Sequence, residues 1–359
     1  MRFNLSSPFV KQTLVAAMAA TTLSVNAATT TVDPTAVALT DQLILPAFDR
    51  FQSSAAALEQ QAKQFCSAPS EQGLQQTQQQ WQQAMDSWQA IYPFNFDPSF
   101  EGDMTLVAFQ IDSKMMRGRN FSVAVDAMIE NMMDDPSMAE PGFVGGLKFK
   151  FKGVLALEHL LFKTRGGKLG AAEIVAEYQK NPGKCSYLTL IGSEVSGLSQ
   201  EVQRIWKSGA TSFKQSENAR PWLINKSIET VAFTAQRKLE PSMAGGDSAE
   251  SWVSKTSLHN LRTNLTAVHQ IFYPKQGSGY GAELAQKDTA LEQRLSQQFS
   301  ELLELLGQME SKSINQWLAE DRHTLESLHA EIITLEKILK HEVTNALGIT
   351  LGFNFNDGD

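Results

Sequence analysis

Cysteine and positive charge are both scarce in this sequence. Two of its 359 residues are cysteines, Cys66 and Cys185, and no Cys-x-x-Cys pair occurs, which argues against a cysteine-based metal site. Asp and Glu number 39 against 31 Lys and Arg, which gives a formal charge of −8. Because non-specific nucleic-acid binding needs a basic surface, we expect no nucleic-acid partner.

The common catalytic signatures are also missing. None of the six histidines begins a His-Glu-x-x-His zinc motif, and no Gly-x-Ser-x-Gly nucleophile turn, P-loop or dinucleotide fingerprint occurs. Glycines cluster where predicted helices end. The sequence therefore gives no motif support for zincin, serine-hydrolase or nucleotide-binding chemistry.

The apolar run near the N-terminus is too short to span a bilayer. Leu14–Val25 follows the positive charges of Arg2 and Lys11 and ends at Val25-Asn26-Ala27, an acceptable small-residue cleavage site. We predict a signal peptide over residues 1–27, export to the periplasm as a soluble protein, and no transmembrane segment after cleavage.

An exported protein meets an oxidising environment. Two cysteines there allow one disulfide, and we predict it between Cys66 and Cys185. The alternative is a pair of buried thiols.

Helical periodicity dominates the chain after residue 37, and convincing strands are missing. The fold class predicted is all-α, as two tandem four-helix-bundle-like domains over residues 35–240 and 241–359, with an exchange of helices between the domains left open. The glutamine-rich stretch Gln72–Tyr92 has Trp and Leu at helical spacing, so we interpret its glutamines as the solvated face of a helix.

One predicted helix, from Lys152 to Phe162, carries a carboxylate in its apolar stripe. The i±3 and i±4 neighbours of Glu158 are Val154, Leu155, Leu161 and Phe162, all apolar. Carboxylates are rarely buried unless they are paired, hydrogen-bonded or bound to a metal. Glu158 is therefore either a structural carboxylate satisfied by an arginine or the backbone, or part of an interior ligand or metal site.

This stretch resembles the Gly-x-His-x-x-Glu motif of the imelysin-like family. Gly153 and Glu158 match the motif, and Leu160, Leu161 and Phe162 match its continuation, Tyr/Phe-Leu-Leu-Phe/Trp. The segments listed next also resemble that family: the Trp81–Trp88 helix, the region around Cys185, residues 256–262 and the tail 351–359. The resemblance implies an exported, all-helical protein of two bundle-like domains, classed with metallopeptidases and linked to bacterial iron uptake.

One departure of the sequence from the motif matters for the chemistry. Leu155 stands where the family has histidine, and a leucine side chain does not bind metal. A metal site would then need His159 or His269 as a substitute. The resemblance therefore supports the fold more firmly than it supports peptidase activity.

We predict a ligand-binding protein whose interdomain pocket surrounds Glu158, with iron or another divalent metal as the candidate cofactor. The predicted polar contacts are Asp112, Ser257, Arg262 and Asn264, with Glu158 also the candidate metal ligand. Because Arg262 is flanked by apolar residues, it is a candidate ion-pair partner for Glu158. The alternatives are an imelysin-type metallopeptidase and a scaffold that docks onto a membrane uptake component.

Overall fold

The computed structural model describes residues 32–102, 104–112, 122–139, 142–143, 146–148 and 151–350. The predicted signal peptide (1–27) and the family-like tail (351–359) lie outside these residues. The described residues contain helices and no strand, which confirms the all-α prediction.

Thirteen helices of the described residues are numbered here in chain order, and three of them contain a π-helical segment. They are α1 (Pro34–Leu39, π-helical Thr40–Ile44, Leu45–Ser67), α2 (Glu71–Ala90), α3 (Thr105–Ile111), α4 (Ser122–Asp134), α5 (Val154–Phe162), α6 (Ala171–Lys180), α7 (Pro182–Gln215), α8 (Ala219–Phe233, π-helical Thr234–Leu239, Glu240–Ser242), α9 (Ser257–Phe272), α10 (Tyr280–Lys287), α11 (Thr289–Met309), α12 (Ile314–Glu320) and α13 (Arg322–Lys337, π-helical Ile338–Val343, Thr344–Leu347).

Local sequence signals set where several of these helices begin. The Asp33 carboxylate accepts hydrogen bonds from the first amides of α1, and the Ser70 hydroxyl accepts one from Gly73 at the start of α2. Ser313 and Gln316 form a reciprocal capping box at the start of α12. These polar caps satisfy amides that the first turn of a helix leaves without intrahelical partners.

Eight of these helices pack as two rings of four. In the first ring α1 contacts α2 and α7, and α5 closes the ring by contacting the same two helices. In the second, α8 contacts α9 and α13, and α11 contacts both of them. Contacts between α2 and α9 join the rings. The domain boundary predicted between residues 240 and 241 remains a prediction.

Aromatic side chains fill the first ring. Trp81, Trp88 and Trp206 are each at most 1% exposed, and the Trp206 ring stacks on Phe48 with centroids 5.5 Å apart. The Trp206 indole nitrogen donates to the Phe94 carbonyl at 2.8 Å, so its polar atom is satisfied inside the core.

A disulfide joins α1 to α7. Cys66 and Cys185 are bonded, with their Cα atoms 5.5 Å apart and a sequence separation of 119. Such a long loop is costly to close without a cross-link, so the bond limits the entropy of the unfolded chain. Among the described residues, no helix combines the length and apolar character needed to cross a membrane.

Candidate functional site

Helix α5 is held in place mainly by α2. The Trp81 indole nitrogen donates to the Val154 carbonyl at 2.8 Å, and the Gln78 amide donates to the Leu161 carbonyl at 2.9 Å. From α6, the Tyr178 hydroxyl donates to the Leu160 carbonyl at 2.9 Å. Both ends of this short helix are therefore fixed by side chains from neighbouring helices.

Gly153 allows α5 to begin against the end of α3. Its φ angle is +83°, in the region that favours glycine. A Cβ here would overlap the Ile111 carbonyl oxygen and lie 2.9 Å from the Gln110 carbonyl oxygen. The glycine of the motif therefore has a steric role, which is to bring α5 next to the residue that follows Ile111, Asp112.

Glu158 is buried, as its apolar neighbours predicted. Its side chain is 3% exposed, and its Oε1 accepts hydrogen bonds from the Ser254 backbone N–H at 2.9 Å and from the Ser254 hydroxyl at 2.8 Å. The Ser254 hydroxyl is also 2.9 Å from the Thr256 hydroxyl. The carboxylate thus connects α5 to the irregular segment that precedes α9.

Asp112 is buried and contacts α2 through Trp88. Its Oδ2 accepts a hydrogen bond from the Trp88 indole nitrogen at 3.1 Å. Burial raises the pKa of the Tyr92 hydroxyl well above its usual value, and the negative charges of Asp112 and Glu250 raise it further. Tyr92 therefore stays protonated and is available as a hydrogen-bond donor near these carboxylates.

A cluster of polar side chains lies buried between α2, α8 and α9, and we call it the buried cluster. It comprises Gln89, Lys238, Glu250, Asn260 and Asn264, each at most 4% exposed. The Lys238 ammonium lies 2.6 Å from Gln89 Oε1, 2.8 Å from Asn264 Oδ1 and 3.1 Å from Glu250 Oε1. Lys238 belongs to the π-helical segment of α8.

The amides of the buried cluster complete the network. Asn264 donates to the Gln89 backbone carbonyl and side-chain oxygen, both at 2.9 Å, and Asn260 donates to Glu250 Oε2 at 3.3 Å. Gln89 corrects the interpretation that the glutamines of α2 are all solvated, because it is fully buried. Its side-chain amide bridges three residues. The oxygen accepts hydrogen bonds from Lys238 and Asn264, and the nitrogen donates to Glu250 at 3.4 Å.

Arg262 does not pair with Glu158, so that predicted ion pair is wrong. Its guanidinium lies 3.2 Å from Glu310, on a half-exposed surface of α9. His259 lies between Asp86 at 2.9 Å and Glu310 at 3.3 Å, and we call these four residues the surface cluster. The hydrogen bond that the ring donates to the Asp86 carboxylate is the largest cause, and together with the one it donates to Glu310 it helps raise the pKa of His259 to about 9.

The two histidines considered as substitutes for the missing motif histidine have other neighbours. His159 Nε2 lies 2.8 Å from Asp126, and burial lowers the pKa of its ring. The His269 ring packs against Tyr273 and Phe299. Among the described residues, no group of three His, Cys, Asp or Glu side chains is arranged to hold a metal ion. These residues alone therefore do not fit a metal centre.

The predicted site residues fall into separate surroundings. Asn264 is in the buried cluster, and Ser257 is buried at the start of α9. Glu158 and Asp112 lie against Ser254 and Trp88, whereas Arg262 lies in the surface cluster. Sequence reasoning missed Ser254, Lys238 and Glu250. Ser254 and Glu250 lie in the segment 243–256, whose polar residues carry no periodic pattern, and Lys238 lies on α8.

Comparison with known proteins identifies the class to which this fold belongs. The Imelysin (peptidase M75) family model matches residues 44–337, and the chain belongs to this family. The resemblance read from the α5 motif is thereby confirmed.

Individual relatives are distant in sequence. The chain is 21% identical over 287 residues to Iron-regulated protein A of Synechococcus elongatus, covering 72% of this chain and 71% of that protein. It is similar to an imelysin-like protein from Psychrobacter arcticum 273-4, with a TM-score of 0.72, 16% identity and coverage of 89% and 96% of the two chains. A Parabacteroides distasonis protein, assigned provisionally as an iron-regulated protein A precursor, gives a TM-score of 0.68, 13% identity and coverage of 87% and 94%. At these identities the solved structures show the shared fold.

Proposed function

We propose that this chain is an exported, periplasmic imelysin-family protein that binds a small ligand beside Glu158 and serves iron uptake. The observation that carries the proposal is the burial of Glu158 at the junction of α5 with the segment before α9, next to an interior rich in polar groups. Burying such groups costs free energy that an apolar interior would avoid, and interiors of this kind are found at binding sites.

Two further observations support the cellular setting. The N-terminal 27 residues have the pattern of a secretory signal, and the Cys66–Cys185 disulfide suits an oxidising compartment. The names of Iron-regulated protein A and of the Parabacteroides distasonis protein favour a link to iron.

The ligand we propose presents positive charge or hydrogen-bond donors to the carboxylates. Glu158 and Asp112 supply negative charge, while the protonated Tyr92 hydroxyl supplies a donor. Iron carried in a complex is the ligand class favoured by the relatives' names. A bare metal ion is less suited, because the described residues do not assemble a three-ligand set.

Thermal unfolding with added ligand tests the proposal. The probes are ferrous iron, ferric nitrilotriacetate and zinc, applied to the unaltered protein and to Glu158→Gln. Glu194→Gln is the matched control, because Glu194 is also a mostly buried carboxylate but pairs with Lys152 at 2.7 Å. We expect an iron probe to raise the melting temperature of the unaltered protein and of Glu194→Gln, and not that of Glu158→Gln. If no probe changes the melting temperature of the unaltered protein, or if Glu158→Gln responds equally, the proposal is wrong.

The family name keeps a metallopeptidase as the second candidate function. In this chain Leu155 replaces the motif histidine, and His159 and His269 contact Asp126 and aromatic rings instead. Elemental analysis of the purified protein beside Leu155→His separates the candidates. Metal retained only by Leu155→His would favour a family metal site that this chain has lost. Chelator-sensitive cleavage of an unfolded protein by the unaltered chain would favour the peptidase.

A further inference from the structure

A surface groove beside α1 has the features of an anion site. Its volume is about 420 Å³, within the range of small-molecule sites, and it lies between α1 and the turn that follows α9. Its walls include Leu39, Leu43, Arg50, Pro274, Lys275 and Ser278.

The charge of the groove is entirely positive. Arg50 and Lys275 line it, and no Asp or Glu does. Neither cation has an ion-pair or hydrogen-bond partner among the described residues. Three glutamine amides and the Ser278 hydroxyl add hydrogen-bond donors to the same walls.

The acids of α1 are directed elsewhere. Asp41 pairs with Lys214 of α7 at 2.9 Å. Asp49 lies 2.8 Å from both Lys207 and Gln203, which also belong to α7. Asp41 and Asp49 thus pair with lysines of α7, and Glu59 pairs with Lys63 on α1 itself, while Arg50, next to Asp49 in the chain, lines the groove. This separation of charge leaves the groove positive although the whole chain is acidic.

Two backbone features shape the walls. Gln42 and Leu43 belong to the π-helical segment of α1, and such segments occur often at functional sites. On the facing turn Gly277 has a φ of +75°, and a Cβ there would lie 2.8 Å from Gln42 Oε1. The turn therefore lies within contact distance of the Gln42 side chain.

We propose that this groove binds a small organic anion with two or more carboxylate groups. Arg50 and Lys275 each bind one carboxylate, since guanidinium and ammonium groups form charge-assisted hydrogen bonds with such oxygens. Leu39, Leu43 and Pro274 contact the carbon skeleton, which an inorganic anion lacks. The site is separate from Glu158 and does not depend on the proposed function.

Isothermal titration of the full chain with succinate, citrate and inorganic phosphate tests the proposal, at an ionic strength kept constant with sodium chloride. The test variant is Arg50→Gln/Lys275→Gln. The control is Lys180→Gln/Lys337→Gln, which removes the same charge at exposed positions outside the groove. We expect saturable binding of succinate or citrate, a loss of at least about tenfold in affinity in the test variant, and an unchanged affinity in the control.

Three results would overturn the proposal. They are no saturable binding of either carboxylate, equal binding by the test variant and the unaltered protein, and tighter binding of phosphate than of both carboxylates. The last would mean that the apolar wall contributes nothing to recognition. Melting temperatures of both variants without added anion show whether each is folded.

Discussion

Helices α2 and α9 meet through two polar clusters that differ chiefly in their access to water. In the buried cluster, Lys238 and Glu250 are 1% and 2% exposed at their side chains, and amides surround them. In the surface cluster, His259 and Arg262 are 33% and 43% exposed. Similar ion pairs on one helix interface should therefore have very different energetic weight, because water compensates a broken pair only at the surface.

The largest effect is expected from Lys238→Met. The change leaves Glu250 and two amides without the ammonium that joins them, and should lower the free energy of unfolding by about 3–5 kcal/mol. Urea denaturation followed by circular dichroism measures the loss. Adding Glu250→Gln should restore part of it, because the carboxylate charge that faced the ammonium is then removed as well. A loss below about 1 kcal/mol for the single variant would make the two clusters equivalent.

The next largest effect is expected from Gly153→Ala. The new methyl group meets the Ile111 carbonyl and is placed at a positive φ, so we expect a loss of about 2–4 kcal/mol. Gly246→Ala is the matched control, because Gly246 also has a positive φ of +65° but has no atom within 4 Å of a built Cβ. Its loss should be only about 1 kcal/mol, from backbone strain. Equal losses in the two variants would show that close packing at Gly153 is unimportant.

Two histidines should give the protein opposite responses to pH. The folded-state pKa of His259 is raised to about 9 from an ordinary 6.5, so its stabilisation is complete below pH 6.5 and is lost as the pH rises through about 9. Burial lowers the pKa of His159, so the stability linked to its neutral form is present above pH 6.5 and is lost as the pH falls through the lower folded-state value.

Substitution separates these two contributions. His259→Gln should cost about 1 kcal/mol near pH 7 and should remove the alkaline part of the pH dependence. The acid part should persist in that variant and diminish in His159→Gln. Unfolding free energies measured between pH 5 and pH 10 provide the test, and an unchanged alkaline limb in His259→Gln would contradict the assignment.

The smallest effect is expected from Arg262→Gln. The Arg262–Glu310 pair is half-exposed, and pairs of that kind contribute less than about 1 kcal/mol. The loss should shrink further when sodium chloride is raised, because salt screens exposed charges. Urea denaturation at low and high salt measures it. A cost comparable to that of Lys238→Met would mean that access to water does not set the difference between the clusters.

The sequence predicted those features that periodicity controls. The apolar neighbours of Glu158 predicted its burial, and the spacing of Trp81 and Trp88 predicted the buried face of α2. The predicted role of Asn264 as a ligand contact stays a prediction. In the structure Asn264 binds Gln89, which lies in a glutamine-rich helix that looked uniformly solvated in sequence.

The features that depend on tertiary contacts were not predictable. Arg262 has apolar neighbours on its helix, yet Glu310 lies within reach on a surface that only the packing of α11 against α9 creates. Ser254 lies in an irregular segment, where no helical or strand period assigns a direction to a side chain. Lys238 is buried because Gln89, Asn264 and Glu250 converge on it from distant parts of the chain.

Gly153 has a consequence for how the motif of this family is used to infer chemistry. In this chain the glycine is required by the approach of two backbone segments, whereas a histidine at position 155 would matter for its ring nitrogens. The two positions are therefore under independent constraints: backbone packing restricts position 153, and metal coordination would restrict position 155. A chain can keep the glycine and lack the histidine. A match to the motif is therefore evidence of a shared fold, and it is weaker evidence of a shared activity.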